Sequence, residues 1–202
     1  MTAFIDHNRK ILFVHTPKTG GTSITDCFVG LEPASQAAKI FGIDVSHIEY
    51  VSGAHKQVEE IMSQEDRKNY FSFSVMREPY DWLISLFEFE SFNNKDRDPI
   101  PEHYISLDSF IDNFYSLGHK PQTHWFTNNG VCQVDKVVDF SRLSEEISIL
   151  KERFSITKPL RMINRRKSNP NINEYSSMIT DNARRLLRDD IDFYRSLTNE
   201  IC

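Results

Sequence analysis

An apolar run at residues 11–14 leads directly into a turn at residues 15–21 that contains a proline and a pair of glycines. Branched and aromatic side chains favour a β-strand, whereas proline and paired glycines end one. A helix over residues 22–29 can then begin at Thr22 or Ser23, whose hydroxyls suit the N-cap position. The order of strand, turn and helix therefore predicts a helix N-terminus at the end of a buried strand.

The same turn has the composition of an anion-binding loop. Backbone N–H groups at a helix start point toward the loop, and the helix dipole favours a negative ligand by about 0.3–1 kcal/mol. Lys18 adds a compact positive charge, and the hydroxyls of Thr22 and Ser23 add hydrogen-bond donors. We therefore expect a phosphate or a similar anion here. The alternative is a glycine turn that binds no ligand.

This loop differs from the one that binds nucleoside triphosphates. The triphosphate loop has the order G-x-x-x-x-G-K-[ST], with the lysine after the last glycine. Here Lys18 precedes Gly20 and Gly21, and the triphosphate pattern occurs nowhere in the chain. The apolar segment at residues 136–140, which contains Asp139, is a weak candidate for a Mg²⁺-binding strand. A metal-dependent nucleotide kinase or hydrolase is therefore disfavoured, although it remains the alternative enzyme class.

A second group of residues follows a strand-like segment at residues 70–76. Arg77 stands at the end of this strand, and Ser85 lies eight positions later in the helix that follows. A guanidinium can bind a phosphate through two parallel hydrogen bonds, and a serine two helical turns further on could reach the same group. The alternative is an ion pair between Arg77 and an acidic neighbour, Glu78 or Asp81.

Together these two segments resemble the sulfotransferases that use 3′-phosphoadenosine 5′-phosphosulfate, in particular the carbohydrate and membrane-associated branch that includes heparan sulfate 2-O-sulfotransferase. The resemblance implies that Arg77 and Ser85 bind the 3′-phosphate of this donor. It also implies that the first segment binds the 5′-phosphosulfate, through Pro17, Lys18, Thr19, Gly20, Gly21, Thr22 and Ser23.

Three further segments resemble the family more loosely. Residues 52–55, which end in His55, resemble its Gly-His segment, and residues 137–143 resemble a late strand that enters a helix. Residues 164–168 resemble an Asn-x-x-x-Ser element that closes over the nucleotide, and the alternative there is a solvated loop. This element implies two further donor contacts, from Arg166 and Lys167.

The resemblance also implies the chemistry. Sulfuryl transfer needs a cation at the leaving oxygen and a base for the acceptor proton, but no metal ion, and it yields adenosine 3′,5′-bisphosphate. Lys18, assisted by Ser23, is the candidate cation, and His55 is the candidate base because an imidazole titrates near neutral pH. The alternative for His55 is a surface or helix-capping histidine. The non-enzymatic alternative for the whole chain is a nucleotide-binding or glycan-binding module without a working base.

Composition limits the partners. The chain has 202 residues and a net charge of −5, which predicts one domain over residues 1–202 and gives no global field that attracts nucleic acid. No apolar run approaches the roughly 18 residues of a membrane span, and no signal-peptide pattern is visible, so we expect a cytoplasmic protein; the alternative is a chain trimmed of its membrane anchor. The cysteines and histidines lack metal-site spacing, so we expect no metal. The expected partners are the donor nucleotide and a hydroxyl acceptor, most simply a carbohydrate; the oligomeric state stays open.

The alternation of strand-like and helix-like segments predicts an α/β fold. We expect a three-layer sandwich like that of the P-loop nucleoside triphosphatases, with a central, mostly parallel sheet flanked by helices. A polar segment with two prolines at residues 92–104 is expected to form an irregular loop on the acceptor side. The expected strands lie at residues 10–15, 70–76, 136–140 and 159–162, and the expected helices at residues 22–29, 79–92, 107–117, 143–154 and 176–197.

Overall fold

The computed structural model describes residues 3–31, 45–51, 55–163 and 180–199. Within these ranges the chain forms two compact units, each with its own hydrophobic core. The first unit consists of the residues up to Met76 together with those from Trp125 to Ile163. The second consists of Arg77 to His124 together with residues 180–199. The single domain over residues 1–202 stays a prediction.

The first unit is built on a mixed β-sheet. The strands of this unit are β1 (Phe4–Asp6), β2 (Ile11–Val14), β3 (Ile48–Tyr50), β4 (Phe71–Met76), β5 (Thr127–Asn128), β6 (Val131–Cys132) and β7 (Lys136–Asp139). Five of these form one sheet in the order β3-β1-β2-β4-β7, and β5 pairs only with β6. The pairs β2–β4 and β4–β7 are parallel, whereas β1 lies antiparallel to both β2 and β3.

Helices belong to both units. Those of the first unit are α1 (Gly21–Val29), α2 (Val58–Ile61), α3 (Gln64–Arg67) and α6 (Leu143–Arg153); those of the second are α4 (Pro79–Asn93), α5 (Leu107–Asp112), α7 (Asp181–Leu186) and α8 (Arg188–Asn199). Short 3₁₀ turns span Glu102–Tyr104, Gln122–Trp125 and Phe140–Arg142. Among the described residues, no helix is both long and apolar enough to cross a membrane.

One face of the sheet carries the core of the first unit. Phe13 of β2 and Phe73 of β4 lie side by side on this face, with ring centroids 5.0 Å apart. Phe28 of α1 packs on Phe73 at 5.4 Å, and Leu143 and Ile147 of α6 complete the buried group. Burial of these side chains holds α1 against the sheet, and it thereby fixes the direction of the N-terminus of α1.

The structure confirms the α/β fold and the positions of most predicted elements. Three of the predicted strands occur as β2, β4 and β7, which are the parallel strands of the sheet. The short antiparallel strands β1 and β3 are additions to the predicted set. The layer arrangement of the P-loop nucleoside triphosphatases stays a prediction.

The predicted strand at residues 159–162 is wrong. The backbone on either side of this segment is bound by side chains of α1: the thiol of Cys27 donates to the carbonyl of Lys158 at 3.3 Å, and the N–H of Ile163 donates to the hydroxyl of Ser23 at 2.9 Å. These contacts lay the segment along α1, and none of the strands in the described part of the chain pairs with it.

Two predicted helices differ from the observed ones by more than one residue at an end. The helix expected at residues 107–117 ends at Asp112, where the side chain of Asn113 bonds back to the carbonyl of Ser109 at 2.8 Å and competes with the next helical turn. The long helix expected at residues 176–197 is divided at Leu187 into α7 and α8, and residues 176–179 lie outside the described residues.

The turn between β2 and α1 requires a glycine at position 21. A Cβ atom at Gly21 would lie 2.1 Å from two atoms of the His15 imidazole. His15 is 5% exposed, and its ring packs on His55 with the centroids 4.8 Å apart, so the ring has little room to move. The missing side chain therefore lets α1 begin directly against His15.

We expect Gly21→Ala to lower the free energy of unfolding by about 1–3 kcal/mol, the usual cost of overpacking. Helix propensity alone would give the opposite sign, since alanine is the better helix former by about 1 kcal/mol. Chemical denaturation measures the change. In a His15→Ala background the same substitution should be neutral or stabilising, because the obstructing ring is gone. Unchanged or increased stability of Gly21→Ala alone would contradict this packing.

Candidate functional site

The loop between β2 and α1 turns through two residues with left-handed backbone conformations, Lys18 (φ 62°) and Gly20 (φ 79°). Gly20 is the residue before the helix, and its carbonyl accepts a hydrogen bond from the N–H of Ser23 at 2.9 Å. The predicted cap by Thr22 or Ser23 is therefore wrong, since α1 begins earlier, at Gly21. The first turn of α1, all of it described, contains no acidic residue, so the positive end of its dipole is not neutralised from within the helix.

Buried hydroxyl groups tie this loop to the sheet. Oγ1 of Thr16 lies 3.0 Å from Oγ of Ser74 in β4, and Ser74 donates to the carbonyl of Val14 at 2.8 Å. The hydroxyl of Thr19 donates to the carbonyl of Thr16 at 2.7 Å, which closes the turn on itself. The three hydroxyl-bearing residues are fully buried. A loop held in this way keeps its shape before any ligand binds, which lowers the free-energy cost of binding.

Four of the loop residues predicted to contact an anion are partly exposed: Pro17, Lys18, Gly20 and Thr22. Ser23, by contrast, is 1% exposed, and its oxygen accepts the N–H of Ile163 at 2.9 Å. Ser23 therefore anchors the segment that ends at Ile163. Its part in catalysis stays a prediction.

His55 lies against the start of the same loop. Its Nδ1 is 3.4 Å from the carbonyl oxygen of His15, the residue that directly follows β2. Its ring also packs near Trp125, with the centroids 5.6 Å apart. When Nδ1–H donates to the carbonyl, Nε2 carries the lone pair of the neutral ring. The structure thus brings an oriented imidazole to the loop that holds Lys18.

Burial lowers the pKa of His55 below its ordinary value, and the hydrogen bond to the His15 carbonyl opposes part of this decrease. The imidazole is therefore neutral at neutral pH. The N-cap of α2 is Gln57, so His55 is not the helix-capping histidine of the alternative interpretation. A neutral imidazole with a fixed orientation is suited to accept a proton.

Arg77 follows directly on β4 and begins the second unit. β2 and β4 are parallel, with Val14 opposite Ser74, so their carboxyl ends reach the same edge of the sheet. The Lys18 loop follows the end of β2, and Arg77 follows the end of β4.

The charge of Arg77 sits in a partly buried environment. Burial lowers the pKa of Arg77, and the negative charge of Asp81 opposes this effect, with smaller contributions from Glu88 and Glu78. The guanidinium stays protonated, since arginine does not lose its proton in proteins. Glu78 caps α4, because its carboxylate accepts the N–H of Asp81 at 2.8 Å. Ser85, two turns into α4, is partly exposed.

Other predicted residues fall outside the site or outside the described part of the chain. Arg166, Lys167 and the rest of residues 164–168 lie outside the described residues, as do residues 52–54 of the Gly-His segment. Phe28 and Trp82 are core side chains with 5% and 0% exposure, so neither is open to a ligand.

Asp139, the residue considered for Mg²⁺, has a structural role at the end of β7. Its carboxylate accepts the N–H of Ser141 at 2.9 Å and the hydroxyl of Ser141 at 2.6 Å, which caps the 3₁₀ turn Phe140–Arg142. Within the described ranges, no group of three or more His, Cys, Asp and Glu side chains could hold a metal ion.

Two residues that support these candidate segments, one in each unit, were not indicated by the sequence patterns. Ser74 could have been found, because in the segment 71–76 the serines alternate with Phe73 and Val75 and must face away from the aromatic core. Gln122 bonds to the backbone of Arg77 from 45 positions away, and no spacing rule connects the two residues.

Comparison with known proteins places the chain in a family. The model of the sulfotransferase family matches residues 1–199. The carbohydrate sulfotransferase 10 proteins of Rattus norvegicus and Mus musculus are 30% identical to this chain, and that of Homo sapiens is 29% identical. Each match covers 105 residues, which is 51% of this chain but only 30% of the relative's length. No solved structure matches the chain significantly. Because the family match covers nearly all of the sequence, the chain belongs to the sulfotransferase family, as the two strand-end segments indicated.

Proposed function

We propose that this protein transfers the sulfuryl group of 3′-phosphoadenosine 5′-phosphosulfate to a hydroxyl group of a carbohydrate acceptor, without a metal ion. Membership of the sulfotransferase family supports the reaction class, and the carbohydrate sulfotransferases among the relatives support the acceptor class. The observation that carries the proposal is the loop after β2. This loop places Lys18 just before α1. The His55 imidazole is hydrogen-bonded to the carbonyl of His15, the first residue of the loop.

The loop suits a phosphosulfate group in three respects. Gly21 leaves no side chain over the start of α1, and the first turn of that helix contributes no negative charge. Lys18 is partly exposed and supplies the positive charge that the helix dipole alone lacks. We assign the 3′-phosphate to Arg77 and Ser85, and the closure over the nucleotide to Arg166 and Lys167.

The donor supplies the sulfuryl group, whose sulfur bonds to the acceptor oxygen as its bond to the bridging phosphate oxygen breaks. Lys18 stabilises the negative charge that develops on that bridging oxygen, which leaves as part of adenosine 3′,5′-bisphosphate. Nε2 of His55 accepts the proton of the acceptor hydroxyl, while Nδ1–H stays bonded to the carbonyl of His15. Ser23 assists Lys18 in this assignment.

The direct test is incubation of the full chain with sulfur-labelled donor and a panel of short neutral saccharides, with EDTA or with Mg²⁺. We expect labelled saccharide in equal yield under both conditions. Phosphoryl transfer from ATP that depends on Mg²⁺ would favour a kinase instead. Binding of the donor without any labelled product would favour a module that lacks a working base.

Loss of the Lys18 charge should slow transfer rather than only weaken binding. We expect Lys18→Ala to lower kcat at saturating donor by about 10²–10³-fold, the usual effect of removing one preorganised group at a developing charge. Lys10→Ala is the matched control, since Lys10 precedes the same strand at its opposite end. Equal kcat values for Lys18→Ala and the wild type would remove Lys18 from the leaving-oxygen position.

The pH dependence of transfer should report the lowered pKa of His55. The base acts in its neutral form, so a lowered pKa keeps it active as the pH falls through the ordinary histidine value of about 6.5. We expect the acid limb of the kcat/KM profile below pH 6.5 and a loss of about 10²–10⁴-fold in His55→Gln. His7→Gln, at the far end of the sheet, should keep the wild-type profile. Full activity of His55→Gln would place the base elsewhere.

Arg77→Ala should remove the preference for a 3′-phosphate. The wild type should bind adenosine 3′,5′-bisphosphate more tightly than adenosine 5′-monophosphate, because Arg77 contacts the additional phosphate. Titration calorimetry of both nucleotides measures this preference. Arg184→Ala, which removes an exposed arginine of α7, should retain it. A preference that survives Arg77→Ala would assign the 3′-phosphate to another group.

A further inference from the structure

Arg77 lies in the short link between a strand and a helix of the chain. The sheet ladder ends with Met76 opposite Asp139, and α4 begins at Pro79. The N–H and C=O groups of Arg77 therefore belong to neither element. Polar backbone groups in a partly buried position require partners from elsewhere.

Gln122 supplies both of these partners. Its Oε1 accepts the N–H of Arg77 at 2.9 Å, and its Nε2 donates to the carbonyl of Arg77, also at 2.9 Å. Gln122 is 0% exposed, so water cannot replace either bond without opening the unit. A single side-chain amide thus fixes the two peptide planes that flank Arg77.

Asp190 of α8 holds Gln122 in turn. Its carboxylate accepts the N–H of Gln122 at 2.8 Å, the N–H of Thr123 at 2.9 Å and the hydroxyl of Thr123 at 2.7 Å. Asp190 is 0% exposed; burial raises its pKa, and these hydrogen bonds oppose the rise. Burying a carboxylate costs free energy that its hydrogen bonds must offset. The contacts therefore form a continuous chain from α8 through Gln122 to Arg77.

We infer that Gln122 is a positioning residue for recognition of the donor's 3′-phosphate, because it sets the backbone from which the Arg77 guanidinium extends. The inference rests on the proposed function, in which Arg77 binds that phosphate. Two parallel hydrogen bonds to a phosphate require a defined guanidinium direction, and a displacement of about 1 Å is costly. A purely structural glutamine would change stability, whereas a positioning glutamine changes the discrimination between nucleotides that differ only at the 3′ position.

A double-mutant cycle on nucleotide preference tests this. The quantity measured by calorimetry is the ratio of the dissociation constants of adenosine 5′-monophosphate and adenosine 3′,5′-bisphosphate. Gln122→Met keeps the length of the side chain but loses both hydrogen bonds, and we expect it to reduce the wild-type ratio about tenfold. In an Arg77→Ala background the same substitution should leave the ratio unchanged.

Gln133→Met is the matched control. Gln133 also makes two side-chain hydrogen bonds, one from the guanidinium of Arg67 and one to the carbonyl of Val131. The same chemical change at this position should leave the nucleotide ratio at its wild-type value. Gln122→Glu retains an acceptor for the N–H of Arg77, and its ratio should fall between those of Gln122→Met and the wild type.

The outcomes separate the inference from the proposed function. A wild-type ratio in Gln122→Met overturns the inference and leaves the donor assignment intact. A wild-type protein that does not prefer the bisphosphate overturns the donor assignment, and the inference with it. If the Gln122 variants do not fold, amide hydrogen exchange of the wild type decides: slow exchange at Arg77, comparable with β4, supports the backbone clamp, and unprotected exchange overturns it.

Discussion

The parallel pairing of β2 with β4 is the constraint on which the proposed site depends. It brings the carboxyl ends of both strands to one edge of the sheet, where the Lys18 loop and Arg77 begin. A slip of one residue would turn every side chain of β4 to the opposite face, so that Ser74 would enter the aromatic core and Phe73 would leave it. The hydroxyl contact between Thr16 and Ser74 reinforces this register from outside the ladder.

The first unit combines a positively charged loop with a neutral imidazole. The start of α1 and Lys18 make the loop positive, whereas burial keeps the imidazole of His55 neutral although it lies against the same loop. A cation that stabilises a leaving oxygen and a base that accepts a proton need these opposite protonation states at one pH. The proposal assigns group transfer to residues of the first unit, while recognition of the 3′-phosphate begins with Arg77, the first residue of the second.

Local patterns predicted the strand-loop-helix segments around Lys18 and Arg77, because each depends on residues close together in the sequence. Short or non-local features were not predictable in this way. β1 and β3 have three residues each, which is too few to show a pattern. The β5–β6 hairpin, by contrast, could have been predicted, because Asn129 and Gly130 both have the positive φ that a two-residue hairpin turn requires, and Asn-Gly is its typical sequence. The bonds from Gln122 to Arg77 and from Asp190 to Gln122 join distant parts of the chain, and only the folded structure brings them together.

A crystal structure of the protein with adenosine 3′,5′-bisphosphate would show directly which residues bind each of the two phosphates. We expect the 5′-phosphate to lie against the backbone N–H groups between Lys18 and Ser23, and the 3′-phosphate to contact the guanidinium of Arg77. A nucleotide bound instead in the cavity lined by His7, Lys10 and Tyr70, at the opposite end of β2, would contradict this assignment.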